Sequence, residues 1–407
     1  MRDCTFENIP MNHGIPADRS QGSKPARVDV LVETWNSYGR GIVEGIWNYQ
    51  QKHTRWQLHL NVTEGEDHIR AHKGWVGEGI IAQARSVSMV AALKQFKVPI
   101  INVSGSTVPG TDLFPRVCCD SEQVVRLAVN HLLDKGFRTV AFCGEPDRKY
   151  TLYWTEAYCK VMKASGLPQH IFDYSEGISG KTNHDELQKD RQRWLNELPR
   201  PAGIIGWDSK ICRALTIACN SAGLRVPEDL AIISLSNDDL IGKLSVPPIS
   251  GVEIAAERMG WEAAKILDQM LGGAKRAASP KLIAPLGVVT RQSTNILAVS
   301  DRAVCKALQF IHAHEGDAID VRDVLKQVPM ARRSLERQFR KLLNRSPAQE
   351  IRRVHLEKAR RLLLETDLTV PDVAEKSGFK YVEHLIPVFR TYFGVTPLAY
   401  RKNARPG

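Results

Sequence analysis

The chain has 407 residues, 43% of them hydrophobic, and 56 Lys and Arg against 45 Asp and Glu, a net charge of +11. That length supports two or three globular cores, and no run of about 18 apolar residues is present to span a membrane. The eight cysteines, at 4, 118, 119, 143, 159, 212, 219 and 305, form no C-x-x-C pair and no Cys/His metal spacing; most lie in apolar runs, which points to reduced core thiols in a cytoplasmic protein without a metal or other cofactor.

Residues 1–26 are polar, hold three prolines and lack an apolar stretch long enough for a signal peptide, so this tail is expected to be disordered. From Arg27 to about Thr294, short apolar runs alternate with helix-period sequence. The predicted strands are Val28–Val32, Gly79–Ala82, Pro99–Val103, Thr139–Cys143, Ala202–Gly206 and Leu230–Leu235, and Val124 to Leu133 and Ala255 to Leu271 are among the predicted helices. Strand-helix alternation implies parallel α/β sheets. About 265 residues exceed one comfortable sheet core, so two lobes with a cleft between them are expected over 27–294.

In open α/β sheets ligands bind beyond the carboxyl ends of the strands. The candidates there are Glu33, Trp35, Tyr38 and Arg40 after the first strand, and Ser104, Trp154, Trp207, Asp208, Asn237 and Asp238 after later ones. Aromatic faces can cover the C–H face of a sugar ring, while carboxylates, amides and guanidinium groups pair with neighbouring hydroxyls. A small sugar is the effector this set suits.

The remaining residues, 300–402, carry the charge. Residues 300–407 hold 21 basic and 13 acidic side chains, net +8, and Arg332 to Arg361 holds eleven basic residues against Glu336, Glu350 and Glu357. Such a surface neutralises phosphates and releases counterions. The same stretch repeats itself: Leu335, Phe339, Arg340, Leu343, Asn344, Ser346 and Pro347 recur fifty residues later as Leu385, Phe389, Arg390, Phe393, Gly394, Thr396 and Pro397. Each copy reads as the second helix of a helix-turn-helix, preceded by a short helix at Val321 to Gln327 or Val370 to Lys376. Asn344 and Gly394 tolerate the left-handed backbone that follows a helix C-terminus. A connecting helix, roughly Ala348 to Glu365, joins the two units.

Two such units on one connecting helix, with the tail Gly378-Phe379 through Tyr392-Phe393-Gly394-Val395-Thr396-Pro397 to Tyr400-Arg401, resemble the DNA-binding domain of the AraC/XylS family. Asp120-Ser121, the run from Ala128 to Phe142, and Gly223 to Leu230 resemble the ligand-binding core of LacI/GalR repressors, which has the two-lobed periplasmic-binding-protein fold (type I). That core followed by a C-terminal AraC-type domain resembles the XylR group of xylose-responsive regulators, most particularly over Tyr38 to Ile46. The resemblance implies a homodimeric transcription regulator on double-stranded promoter DNA, activating sugar-catabolic genes when a pentose such as D-xylose binds. A regulator with a different or no effector, or a ligand-released repressor, is the alternative. Ser236 stands where the family usually has a ligand-binding aspartate, and losing a charged acceptor removes about 1.5–3 kcal/mol of hydrogen bonding.

The resemblance also places the DNA-reading residues. Arg333, Glu336 and Arg337 are expected to face bases in the first unit, since arginine pairs with guanine and glutamate accepts from cytosine; an ion pair between Glu336 and Arg340 competes with that role. Arg332, Arg340 and Lys341 are expected on phosphates. In the second unit Val382, Glu383, His384 and Arg390 are the counterparts, but Pro387 occupies a helix-interior position that often holds a contacting arginine. The first unit should therefore dominate specificity while the second positions, with the two helices about one DNA turn, ~34 Å, apart. No phosphate-loop, strand-linked G-x-G-x-x-G, H-E-x-x-H or G-x-S-x-G motif is present, which argues against an enzyme.

Overall fold

A computed structural model describes residues 25–60, 77–144, 152–172, 184–275, 279–295, 301–343 and 345–404. The tail 1–24 and Asn344 lie outside the described residues. Among the described residues twelve strands form, β1 (Arg27–Leu31), β2 (Gln57–Leu60), β3 (Gly79–Ala82), β4 (Ile100–Asn102), β5 (Val117–Cys119), β6 (Thr139–Cys143), β7 (His170–Phe172), β8 (Ala202–Gly206), β9 (Leu230–Ser234), β10 (Ser250–Glu253), β11 (Lys281–Ile283) and β12 (Gly287–Val289). The first lobe is a parallel sheet in the order β2-β1-β3-β4, and the second a six-stranded sheet in the order β12-β10-β9-β8-β6-β7, parallel except where β12 returns against β10.

Side-chain alternation sets how each sheet is covered. Val28, Val30, Ile81 and Ile101 face a core shared with helix α1 (Ser37–His53), whereas Leu31, Ile80 and Ile100 face helix α2 (Val87–Leu93). Four helices of the second lobe follow, α3 (Ser121–Asp134), α4 (Leu152–Ala164), α5 (His184–Glu197) and α6 (Ser209–Ser221), with the short α7 (Asp239–Leu244) after β9. Helix α8 (Ala256–Leu271) returns to the first lobe and packs along α1. The two helices touch through glycine: a Cβ on Gly45 would overlap the Glu257 carbonyl, and one on Gly260 the Ile42 carbonyl.

The chain crosses between lobes three times, from β5 into α3, from β10 into α8, and between β11 and β12. These crossovers pair with one another, Asp120 donating its N–H to the Ile283 carbonyl at 3.0 Å and Leu286 its N–H to the Glu253 carbonyl at 2.8 Å. Cys118, Cys119, Cys143, Cys212 and Cys219 are buried free thiols.

The C-terminal domain is all helix: α9 (Arg302–Ala313), α10 (Val321–Leu325), α11 (Arg332–Leu343), α12 (Pro347–Glu365), α13 (Val370–Lys376), α14 (Val382–Phe393) and α15 (Pro397–Ala404). The repeated residues explain its two cores. Leu335 and Phe339 are fully buried in one with Val304, Leu308 and Val324, and Leu385 and Phe389 are fully buried in the other with Leu356, Leu363 and Val373. Capping boxes at Ser346 with Gln349 and at Thr369 with Asp372 start α12 and α13, each with proline in the first turn. Gly394 ends α14 at φ +80°. Helix α14 runs unbroken through Pro387, an exposed position.

An ionic cluster knits this domain together. Glu350, fully buried, accepts from Arg353 at 2.7 and 3.0 Å and from Arg345, and His312 Nε2 lies 3.6 Å away. Burial pushes its carboxyl up, but Arg353, His312 and Arg345 outweigh that and hold it well below the usual carboxylate range.

Candidate functional site

A cavity of about 330 Å³ lies between the two lobes, at the carboxyl ends of their strands. Tyr38, Trp154, Asp208, Ser236, Asn237 and Asp238, named from the sequence, line it, as do Trp35, Ser104 and Trp207. Glu33 and Arg40, also named from the sequence, stand outside that lining. The Glu33 carboxylate is taken up by Trp35 Nε1, at 2.6 Å, and by Arg85. It orients the Trp35 ring from behind. Arg40 donates to the Thr34 carbonyl at 3.1 Å and to Ser37 Oγ at 3.2 Å, on the first turn of α1.

Asp238 joins the lobes. Its Oδ1 caps α7 by accepting from the Ile241 N–H at 3.0 Å, and its Oδ2 accepts from the Ser37 N–H at 2.9 Å across the cleft. Ser37 is the first residue of α1, where N–H groups lack intrahelical partners and the helix dipole favours a carboxylate. Arg40 Nη2 stands 3.8 Å from the same oxygen. A second contact crosses the cleft at Trp35, whose ring centroid lies 3.4 Å from Lys210 Nζ at the start of α6.

Other predicted residues have settled partners. Tyr38 donates its hydroxyl to the Val103 carbonyl at 2.9 Å, and burial raises its pKa well above the ordinary tyrosine value, so it offers the cavity a neutral ring. Asp208 Oδ1 caps α6 through the Ile211 N–H at 2.8 Å. The Ser236 carbonyl accepts from Ser209 Oγ at 2.9 Å and from Ser234 Oγ at 2.7 Å, which fixes the turn that places Ser236 at the cavity. Asn237 accepts from Arg291 at 2.8 Å and donates to Glu253.

Sequence inspection missed Gln83, Arg85, Ser106, Tyr153, Lys210 and Glu253, which also line the cavity. Gln83 and Arg85 directly follow β3, and Ser106 follows β4, so the strand-end rule that found Glu33 reaches them too. Ser106 Oγ is buried without a hydrogen-bond partner among the described residues. Glu253 ends β10, a strand too short to be seen in the sequence. Burial raises its carboxyl pKa against the pull of Asn237.

On the helical domain, Arg333, Arg337, Arg340 and Lys341 of α11 are exposed and have no acidic partner among the described residues. Arg332 donates to Glu336 at 3.0 Å, so Glu336 pairs within the first turn and not with Arg340. On α14, Glu383, His384 and Arg390 are exposed, but Val382 is partly buried against the domain's own core.

Three family models match in succession: the XylR N-terminal domain over residues 27–119, a periplasmic binding protein-like domain over 129–294, and a helix-turn-helix domain over 324–403. The chain is a XylR-like transcription regulator. It is 29% identical over 388 residues to the xylose operon regulatory protein of Haemophilus influenzae, covering 93% of this chain and 98% of the relative. The Escherichia coli K12 protein of the same description is also 29% identical, over 93% of this chain and 97% of its own. Among solved structures, that of the xylose-binding transcription activator xylR superposes with a TM-score of 0.61 at 27% identity, over 93% of this chain and 98% of the other. In this XylR-like chain the two-lobed core precedes the DNA-binding domain, and the relatives are regulators and not enzymes. No helix among the described residues is long and apolar enough to cross a membrane.

Proposed function

We propose that this regulator is a cytoplasmic homodimer that binds promoter DNA through its C-terminal domain and activates sugar-catabolic genes when a pentose, D-xylose foremost, closes its two lobes. The observation that carries the effector site is the Asp238–Ser37 hydrogen bond across a cavity walled by aromatic rings and hydroxyls. Trp35, Tyr38, Trp154 and Trp207 supply faces for the C–H side of a sugar, and Ser104, Ser106, Asp208 and Ser236 supply polar edges. Glu253, beside Asn237, provides the acidic acceptor that Ser236 lacks. On DNA, α11 reads bases through Arg333 and Arg337, and Arg340 and Lys341 hold phosphates.

The test is thermal unfolding of the purified chain across pentoses and hexoses. A ligand at 100 times its Kd adds ~2.7 kcal/mol of stability. A shift confined to D-xylose or to one or two sugars supports the reading. No shift with any sugar withdraws the sugar effector.

A further inference from the structure

The helical domain is fastened to the two-lobed core at two places of different character. The first unit is tied to the body of the second lobe: Arg345 donates to the Asp134 carboxylate and to its backbone carbonyl, both at 2.7 Å, and Arg138 donates to the Leu342 carbonyl at 2.7 Å. Asp134 and Arg138 flank the end of α3, within one lobe.

The second unit is tied to a hinge. Arg360 of α12, only 4% exposed, donates to the Val288 carbonyl at 2.5 Å and the Leu286 carbonyl at 3.4 Å, while its Nε pairs with Glu357 at 2.8 Å. Leu286 to Val288 is where the third crossover enters β12. Gly287, at φ +135°, lets the guanidinium lie on that strand, since a Cβ there would meet Arg360 at 2.8 Å. Leu286 has two neighbours that matter: it lines the ligand cavity and packs against the core of the second helix-turn-helix unit. Helix α15 of the same unit lies against α8 of the first lobe.

One unit is thus anchored to a lobe and the other to the crossover about which the lobes turn. We propose that Arg360 is the positioning residue through which lobe closure sets the second recognition helix, with Leu286–Val288 as the moving part. Sugar binding displaces Leu286 and the crossover, Arg360 carries that displacement into α12, and α14 changes its placement relative to α11. This inference rests on the proposed effector reading and assigns the route by which the effector is felt on DNA.

The experiment measures D-xylose binding to the full chain by calorimetry without DNA. It also measures, by fluorescence anisotropy with and without D-xylose, binding to a labelled duplex recovered by selection with the unmodified chain. In the unmodified chain the sugar should change the duplex Kd by at least about fivefold, the lower end of ordinary allosteric coupling. In Arg360→Met that factor should fall below about twofold while the D-xylose Kd without DNA stays within about twofold. Glu357→Gln, which leaves the grip on the crossover, should keep the coupling. Full coupling in Arg360→Met overturns the proposal while leaving the effector reading intact; no D-xylose binding to the unmodified chain overturns both. Should Arg360→Met not fold, amide exchange of the unmodified chain decides. Added D-xylose should alter exchange in 353–365 and 382–393 more than in 332–343, and the reverse pattern refutes the route.

Discussion

Ser37→Pro isolates the hydrogen bond that joins the lobes. Ser37 opens α1, a position whose N–H has no intrahelical acceptor and where proline is well tolerated. The preceding Asn36 has φ −118° and ψ 163°, the extended conformation a residue before proline requires. The substitution therefore deletes the N–H that donates to Asp238 Oδ2 at 2.9 Å without disturbing the helix. A hydrogen bond to a charged group contributes about 1.5–3 kcal/mol. If that energy favours the closed form, the sugar's apparent affinity falls by roughly ten- to a hundredfold, because only the closed fraction binds. Proline also removes Oγ, which accepts from Arg40 at 3.2 Å and from the Asp239 N–H at 3.4 Å. Ser37→Ala removes only those, and the difference between the two variants belongs to the amide. Calorimetric titration with the sugar identified in the melting panel gives both affinities, and melting of the sugar-free variants reports their folding. Equal sugar affinity in a folded Ser37→Pro and in Ser37→Ala would refute a closing role for Asp238.

Other perturbations test the remaining parts. Gly260→Ala places a methyl group against the Ile42 carbonyl, a backbone atom that cannot rotate away; it should destabilise the first lobe by about 1–3 kcal/mol or more in urea unfolding, as overpacking does. Glu350→Ala leaves the buried guanidinium of Arg353 without its carboxylate and Arg345 with Asp134 alone, and should cost about 3–5 kcal/mol in the same assay. The Glu350 contribution has a defined pH sense: its folded pKa is depressed, so the stabilisation is complete above the unfolded value near ~4.3 and is lost as pH falls through the folded one. Acid should weaken the fold before that, because burial lowers the pKa of His131, His312 and His355, and the unfolded chain takes up protons below ~6.5 that the folded chain refuses, at most about 1.4 kcal/mol per pH unit for each. Thermal melts between pH 7 and 5 check the slope. Arg337→Ala should weaken specific duplex binding by about 1–3 kcal/mol and relax discrimination at one base pair, whereas Glu383→Ala and His384→Ala keep discrimination; competition binding with single-site duplex variants separates these outcomes.

Elements whose residues alternate or repeat strongly were legible in the chain. Gly79–Ala82, Thr139–Cys143 and Ala202–Gly206 form as predicted, because each is a buried apolar run flanked by turn residues. The duplicated Leu-x-x-x-Phe pair fell on two separate cores because a helix buries positions four apart on one face. Strands such as Gln57–Leu60, with three of its four residues exposed, and Ser250–Glu253, with Val252 its one large apolar residue, have no such pattern, so the crossovers and Glu253 at their edge stayed hidden. Glu33 and Arg40 fall outside the cavity lining for another reason. A strand end says where a side chain starts, and a neighbour such as Arg85, fifty-two positions away, decides where it goes.

Charge shows the same limit from the other side. Arg332 to Arg361 holds eleven basic residues, which on composition alone would describe a phosphate-binding face. Arg345, Arg353 and Arg360 point their charge inward to Glu350, Asp134 and Glu357, while Lys358 and Arg361 pair with Glu315. The exposed cations of this segment without an acidic partner among the described residues are Arg333, Arg337, Arg340, Lys341 and Arg352. Four of those five sit on α11 and Arg352 on α12, whereas Arg345 and Arg360, which hold the domain to the core, sit on the turn before α12 and on α12 itself. The basic excess therefore serves two physical tasks, one facing polyanion and water and the other facing buried carboxylates and backbone carbonyls. The second connects the DNA-reading surface to the lobes that bind the effector.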